Sequence, residues 1–158
     1  MIVWFTGQPG SGKTTLAKSM QLRPVFLETF GDKKYKKIIH LDGDDLREVL
    51  DNKDYSEQGR RNNMQFVIDM AKVMDSKGYL VIVSMVSPYR DMREKLKLEN
   101  NVFEIYCHTT ETRGKEKYFV EGYQEPLNNF LDVDTTNKLV KESISEVLHV
   151  YREMATIS

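Results

Sequence analysis

Gly7-Gln8-Pro9-Gly10-Ser11-Gly12-Lys13-Thr14 lies between the apolar run Ile2-Val3-Trp4-Phe5 and a helix-forming stretch that begins at Lys13. Glycines at this spacing let successive backbone N–H groups turn inward around phosphate oxygens without obstruction from side chains. Lys13 adds a positive charge for the β- and γ-phosphates, Thr14 places a hydroxyl where Mg²⁺ is held, and the helix N-terminus behind them adds its partial positive charge. From average residue usage, a chain of this length would carry the pattern by accident about once in 200 cases. Its context, a strand before and a helix after, is the one the chemistry needs. The stretch therefore predicts ATP and Mg²⁺ as ligands, with Gly7, Gln8, Pro9, Gly10, Ser11, Gly12, Lys13, Thr14 and Thr15 around the nucleotide and Thr14 on the metal.

Outward from this loop, short apolar runs alternate with longer helical segments. Five runs read as strands: Ile2 to Thr6, Lys37 to Leu41, Tyr79 to Met85, Val102 to Cys107 and a short one at Phe130 to Asp132. Between and after them, Lys13 to Gln21, Asp44 to Asp51, Glu57 to Lys77, Tyr89 to Leu98 and Thr136 to Met154 read as helices. In the long third helix, Met64, Val67, Ile68, Ala71 and Met74 recur at three- and four-residue spacing and mark one buried face, and Gly78 stops it. The alternation predicts an α/β fold of the P-loop NTPase type: a five-stranded parallel sheet flanked by helices on both faces, in a single domain over residues 1–158. The stretch from about 109 to 129 is the least regular and reads as a short, mobile lid near the substrate.

Bulk composition narrows the setting. The 158 residues are 40% hydrophobic, enough for one packed core. Charged residues make up 30% but nearly cancel, leaving a net charge of −1, so no global footprint for nucleic acid is present. The lysine-rich stretch Asp32 to Lys37 reads as a solvated loop. A single cysteine, Cys107, forms no intrachain disulfide, and no Cys/His cluster has zinc-ligand spacing, which predicts a cytoplasmic protein. The longest apolar run, near Tyr79 to Val83, is far below the roughly 20 residues that cross a bilayer, so no membrane partner is expected. Met1 to Phe5 has no basic leader and reads as structure, not as a signal peptide.

The loop alone does not distinguish a kinase from other nucleotide-binding proteins. A guanine-reading Asn-Lys-x-Asp is not completed by Asn52-Lys53-Asp54 or by Asn137-Lys138-Leu139, and Asp75-Ser76-Lys77-Gly78 precedes a strand where a switch element follows one. After the second strand, however, comes Leu41-Asp42-Gly43-Asp44-Asp45-Leu46-Arg47. Ligands of open parallel sheets bind beyond the carboxyl ends of the strands, which places Asp42 and Asp44 toward the γ-phosphate. A carboxylate there holds Mg²⁺ or takes the proton from an attacking hydroxyl. Asp44 or Asp45 serves equally well as a helix N-cap.

Several blocks in order now resemble the adenylylsulfate kinases, which phosphorylate the 3′-hydroxyl of adenosine 5′-phosphosulfate with ATP. They are the phosphate loop, Leu41-Asp42-Gly43-Asp44 with Arg47, Tyr55-Ser56 with Arg60 and Asn63, Ser87-Pro88-Tyr89-Arg90-Asp91-Met92-Arg93, and a final Leu131-Asp132 followed by threonines. The resemblance implies catalytic roles for Lys13, Asp42, Asp44 and Ser87, the last as a phosphoserine intermediate. Asp42 joins Thr14 as a metal ligand. It implies an acceptor site of Asp42, Arg47, Tyr55, Arg60, Asn63, Ser87, Arg90, Lys115 and Phe119. ATP and adenylylsulfate are then the small-molecule partners, and pairing as a homodimer is common in such kinases. Arginine suits this acceptor physically, since its planar fork binds polyanions with two prongs.

The chain departs from the family at Gly59, Asn62 and Gln65, where acidic residues and an arginine are usual. It also has a shortened lid, where Lys115 or Lys117 and Phe119 or Tyr123 fill the space. A lid governs acceptor identity more than phosphoryl chemistry. Two alternatives thus stay open: a kinase on another small acceptor, such as a nucleoside monophosphate or a metabolite, and a nucleotide-binding regulatory module without turnover.

Overall fold

A computed structural model describes residues 1–22, 35 and 37–157. Five parallel strands form one sheet in the order β2-β3-β1-β4-β5, where β1 is Ile2–Thr6, β2 Ile38–Asp42, β3 Leu80–Ser84, β4 Val102–His108 and β5 Phe130–Asp134. The described helices are α1 Lys13–Gln21, α2 Gly43–Val49, α3 Glu57–Ser76, α4 Arg90–Glu99 and α5 Val140–Ile157, with a 3₁₀ turn at Glu116–Tyr118. Within the lysine-rich stretch, residues 32–34 and 36 lie outside the described residues.

Alternation along the strands divides the core. Val3 and Phe5 of β1 and Leu80 and Ile82 of β3 face one side, where they pack with Leu16, Ala17 and Met20 of α1 and Ile144, Val147 and Tyr151 of α5. Ile2, Trp4, Val81 and Val83 face the other side, against Met64, Val67, Ile68 and Ala71 of α3 and Leu96 of α4. A strand buried on both faces carries apolar residues without a polar alternation, and β1 and β3 have this character. The five-strand parallel expectation therefore holds.

The element ends differ in instructive ways. β5 runs on to Asp134, and α5 begins only at Val140: Asn137 takes a left-handed φ of 53°, so a right-handed helix does not run on from Thr136. β2 includes Asp42, whose side chain then caps α2 by accepting from the Asp44 and Asp45 N–H groups. The N-cap of α2 is thus Asp42 itself and not Asp44 or Asp45.

Candidate active site

The phosphate loop joins β1 to α1 at the carboxyl edge of the sheet, with the neighbouring strands β3 and β4 on either side of β1. Gly7, Gly10 and Gly12 all have positive φ, at 146°, 81° and 97°. A Cβ on Gly7 would fall on the Cys107 carbonyl oxygen, so only glycine fits. Gly12 is the N-cap of α1 and no side chain caps this helix, which leaves its first N–H groups directed at the loop's hollow. Lys13 folds back over the loop and donates to the Gln8 carbonyl at 2.8 Å and to Ser11 Oγ at 3.4 Å. Burial, at 8% exposure, pushes its ammonium down to about 8, against the opposing pull of the Asp44 and Asp42 charges.

Asp42 is the hub of the opposite wall. Parallel register places Ser84 of β3 beside Asp42 of β2, and Asp42 Oδ2 accepts from Ser84 Oγ and from Thr14 Oγ1, each at 2.7 Å. Its other oxygen accepts the two α2 N–H bonds. Burial by itself would push the Asp42 carboxyl up, but the bonds from Ser84, Thr14 and the two amides outweigh it and hold the group below the usual carboxylate range. His40 Nε2 lies 2.7 Å from Ser84 Oγ. Because Ser84 gives its proton to Asp42, His40 is the donor in this pair, and the line His40, Ser84, Asp42, Thr14 is a single polar chain. His40 and Ser84 escape a sequence reading, since both look like ordinary strand residues until the register joins them. The hydroxyl and carboxylate of Thr14 and Asp42 form a hard, oxygen-only pair of the kind that suits Mg²⁺.

Between these walls lies a cleft of about 1280 Å³. Pro9, Gly10, Gly12, Lys13, Thr14 and Thr15 line it on the loop side; Asp42, Asp44, Arg47, Tyr55, Arg60 and Asn63 line it opposite; Ser87, Lys115 and Phe119 close its rim. Asp44 is exposed on the first turn of α2, whereas Asp42 is spent on four bonds. Gly7, Gln8 and Ser11 do not line the cleft: Gly7 and Ser11 are buried beneath the loop, and the Gln8 side chain points elsewhere.

The acceptor arginines are held in different ways. Arg47 is buried, donates through one nitrogen to Asn52 and to the Asp54 carbonyl, and lies 4.4 Å over the Tyr55 ring. Arg60 donates to the Tyr55 carbonyl at 2.8 Å, with its guanidinium 5.8 Å from the centre of the same ring. Asn63, 5% exposed, faces Asn52. A side groove of about 380 Å³ continues past Tyr55 and Arg60 to Tyr89, Val120 and Glu121.

Two residues expected at the acceptor sit differently. Arg90 does not line the cleft: its Nε donates to the Glu125 carbonyl and its N–H to Gln124 Oε1, so it anchors the segment after β4. Ser87 is 1% exposed, in a left-handed conformation at φ 49°, and its hydroxyl accepts from the Trp4 indole at 2.9 Å while facing the Met85 carbonyl. Neither partner of this hydroxyl is a base.

The segment expected as a mobile lid makes hydrogen bonds to the phosphate loop, β1 and α4. Residues 119–126 form a strap across the rim. The Gln8 side chain makes two bonds to Val120, donating to its carbonyl and accepting from its N–H, both at 2.9 Å. Tyr123 OH meets Thr6 Oγ1 at 2.7 Å and its ring stacks on Tyr106. Arg93 donates to the Ser87 and Gln124 carbonyls and, at 2.7 Å, to Glu104. Arg113, which sequence reasoning missed, reaches from the same region to the Gly10 carbonyl at 3.0 Å and to Thr135. Its only signal was a cation in the interval between β4 and β5, shared with Lys115 and Lys117. Cys107 is buried and inert, its thiol pushed up to about 12 by desolvation. No helix among the described residues is long and apolar enough to cross a membrane.

The family model for adenylylsulphate kinase matches residues 1–134. An adenylyl-sulfate kinase of Prochlorococcus marinus is 33% identical, over 94% of this chain and 81% of its own length. A cytidine diphosphoramidate kinase of Campylobacter jejuni is 32% identical, over 84% of this chain and 77% of its own. The Mycobacterium tuberculosis APS kinase in complex with AMPPNP and APS superposes with a TM-score of 0.74 at 26% identity, covering 95% of this chain and 96% of that one.

Proposed function

This chain belongs to the adenylylsulphate kinase family, and from that premise we propose that it transfers the γ-phosphoryl group of ATP to the 3′-hydroxyl of adenosine 5′-phosphosulfate. The observation that carries the reading is the single cleft in which Lys13, Thr14 and Asp42 face Arg47, Arg60 and Asn63. One wall suits a nucleotide triphosphate; the other suits an anionic acceptor with planar groups for Tyr55 to stack on.

The chemistry follows from these positions. The loop amides and Lys13 hold the β- and γ-phosphates, and the uncapped start of α1 reinforces them. Thr14 would hold Mg²⁺ directly and Asp42, whose oxygens are already bonded, would hold it through water; the ion when bound would neutralise phosphate charge. Asp42, ionised and fully hydrogen-bonded, is a poor proton acceptor, so Asp44, exposed on the same wall, takes the proton of the attacking hydroxyl. Arg47, Arg60 and Asn63 orient the acceptor's anionic groups, while Lys115 and Phe119 cover it from the rim. Ser87 supports the wall through Trp4, and transfer is direct and in line.

A second reading has its own support. The relative from Campylobacter jejuni shows that comparable sequences carry the name of a kinase for cytidine diphosphoramidate. That compound is also a nucleotide bearing a short anionic chain, and the shortened lid leaves room for a different base. The test offers ATP with adenylylsulfate, cytidine diphosphoramidate and nucleoside monophosphates in parallel and follows phosphorylated product. Adenylylsulfate should give the highest kcat/KM; a preference for the cytidine compound moves the assignment to the second reading. Absence of turnover with every acceptor removes both.

A further inference from the structure

We propose that Gln8 is a positioning residue that registers the strap, residues 119–126, on the phosphate loop and thereby sets the acceptor side of the cleft. Phosphate binding by such a loop uses backbone amides, so the side chain after its first glycine is not required for it. In this chain that side chain is an amide, and it is turned away from the cleft toward Val120. A primary amide is the one side-chain group that matches a peptide, giving one N–H and taking one. Gln8 and Val120 thus pair as two residues do across a sheet. Leucine would make neither bond, and glutamate at neutral pH would accept but not donate.

Gln8 is connected in a second direction. Its own carbonyl accepts from Lys13 Nζ at 2.8 Å, so one residue joins the catalytic lysine to the strap. Val120, at the other end, lines both the main cleft and the side groove past Tyr55 and Arg60. Displacing Val120 therefore moves a wall common to both parts of the acceptor region. The second link, Thr6 to Tyr123, leaves from the last residue of β1, immediately before the loop. Tyr123 is partly buried and its hydroxyl is pushed up to about 12 by desolvation, so it stays protonated and able to donate. The strap is held from the loop side by these two residues and from α4 by Arg90 and Arg93.

The kinetic arm of the test rests on the kinase reading; the exchange arm does not. Gln8→Leu and Gln8→Glu are compared with the unaltered chain by amide hydrogen exchange without nucleotide and by steady-state kinetics with ATP and the acceptor that the panel identifies. Loss of a two-bond clamp should speed exchange at Val120 and its neighbours by about tenfold, at unchanged exchange in β1 and β3. The acceptor KM should rise by about tenfold while the ATP KM stays within about twofold. Gln8→Glu should show an intermediate loosening, since one bond remains. Tyr123→Phe, which cuts the neighbouring link, should loosen the same amides. Unchanged exchange at Val120 in Gln8→Leu overturns the proposal, and so does an ATP KM that rises as much as the acceptor KM. If no acceptor is turned over, the kinase reading fails, and the exchange result still decides the role of Gln8.

Discussion

At the scale of single residues, Lys13 and Asp42 show how the site uses burial. The Lys13 ammonium titrates near 8 in the folded chain against an ordinary value of 10.5. The folded state therefore binds fewer protons than the unfolded chain between those values, so this charge opposes folding below about pH 8 and the penalty fades as pH rises toward 10.5. Lys13→Met should abolish phosphoryl transfer yet raise stability at pH 7 by roughly 1–3 kcal/mol, measured by urea unfolding. A substituted chain less stable than the parent would contradict this. Because the free enzyme must carry the Lys13 charge to bind triphosphate, kcat/KM for ATP should fall above about pH 8. Asp42 has the opposite sign. Its depressed titration stabilises the fold at neutral pH, and this contribution is lost only as pH drops below the usual carboxylate range. Asp42→Asn should lower kcat by about 10²–10³-fold with a much smaller change in ATP affinity, because it removes an interaction needed mainly in the transition state. Ser84→Ala takes away one of the bonds that depress Asp42 and should move the acid limb of kcat/KM upward, read from a pH–rate profile.

At the scale of elements, the start of α3 is the most informative. Ser56 caps it by accepting from the Gly59 N–H, Asp54 accepts from Ser56, and Arg47 donates to the Asp54 carbonyl. A Cβ on Gly59 would fall on the Asp54 carboxyl group. Gly59 is thus what lets the loop 52–55 sit against α3 and aim Arg47 and Tyr55 at the cleft. Gly59→Ala should cost about 1–3 kcal/mol through displaced packing and a weakened cap and raise the acceptor KM, while leaving the ATP KM within about twofold. Thermal unfolding and kinetics with each substrate varied in turn would check both. The absence of a side chain at Gly59 makes space for Asp54.

At the scale of the whole molecule, the strap and the sheet are joined by a buried ionic cluster. Arg93 is 2% exposed and pairs with Glu104, which is 1% exposed and also meets Lys97 at 2.5 Å. The same guanidinium holds the Ser87 and Gln124 carbonyls. Removing one member of a buried pair strands its partner, which typically costs about 3–5 kcal/mol. Arg93→Leu should therefore destabilise the fold by about that amount and lower kcat/KM for the acceptor, whereas Arg61→Leu, which breaks surface pairs of a partly exposed side chain with Glu57 and Asp91, should cost under about 1 kcal/mol. Equal effects from the two substitutions, in denaturant unfolding, would show that Arg93 does not tie the strap to the sheet.

What could be read along the chain were the features whose physics is local. The glycine pattern of residues 7–14, the apolar runs of β1 and β3, and the three- and four-residue spacing in α3 each express a backbone or periodicity requirement within a few residues, and they determined the fold class and the nucleotide wall. Asp42, Arg47, Arg60 and Asn63 were singled out by the resemblance of their blocks to the family's, and the fold places all four on one cleft. Only the tertiary structure decided the rest, because it depends on register and on contacts between residues far apart in sequence. Parallel pairing of β2 with β3 brings His40 and Ser84 to Asp42. The bonds of Arg90 and Arg93 to the strap, and the hydrogen bond from the Trp4 indole to Ser87, likewise join residues far apart in sequence. The pairing of Gln8 with Val120, 112 residues apart, is invisible in either segment alone: a glutamine in a loop has no periodicity to betray its partner, and only the folded chain places a peptide group opposite it.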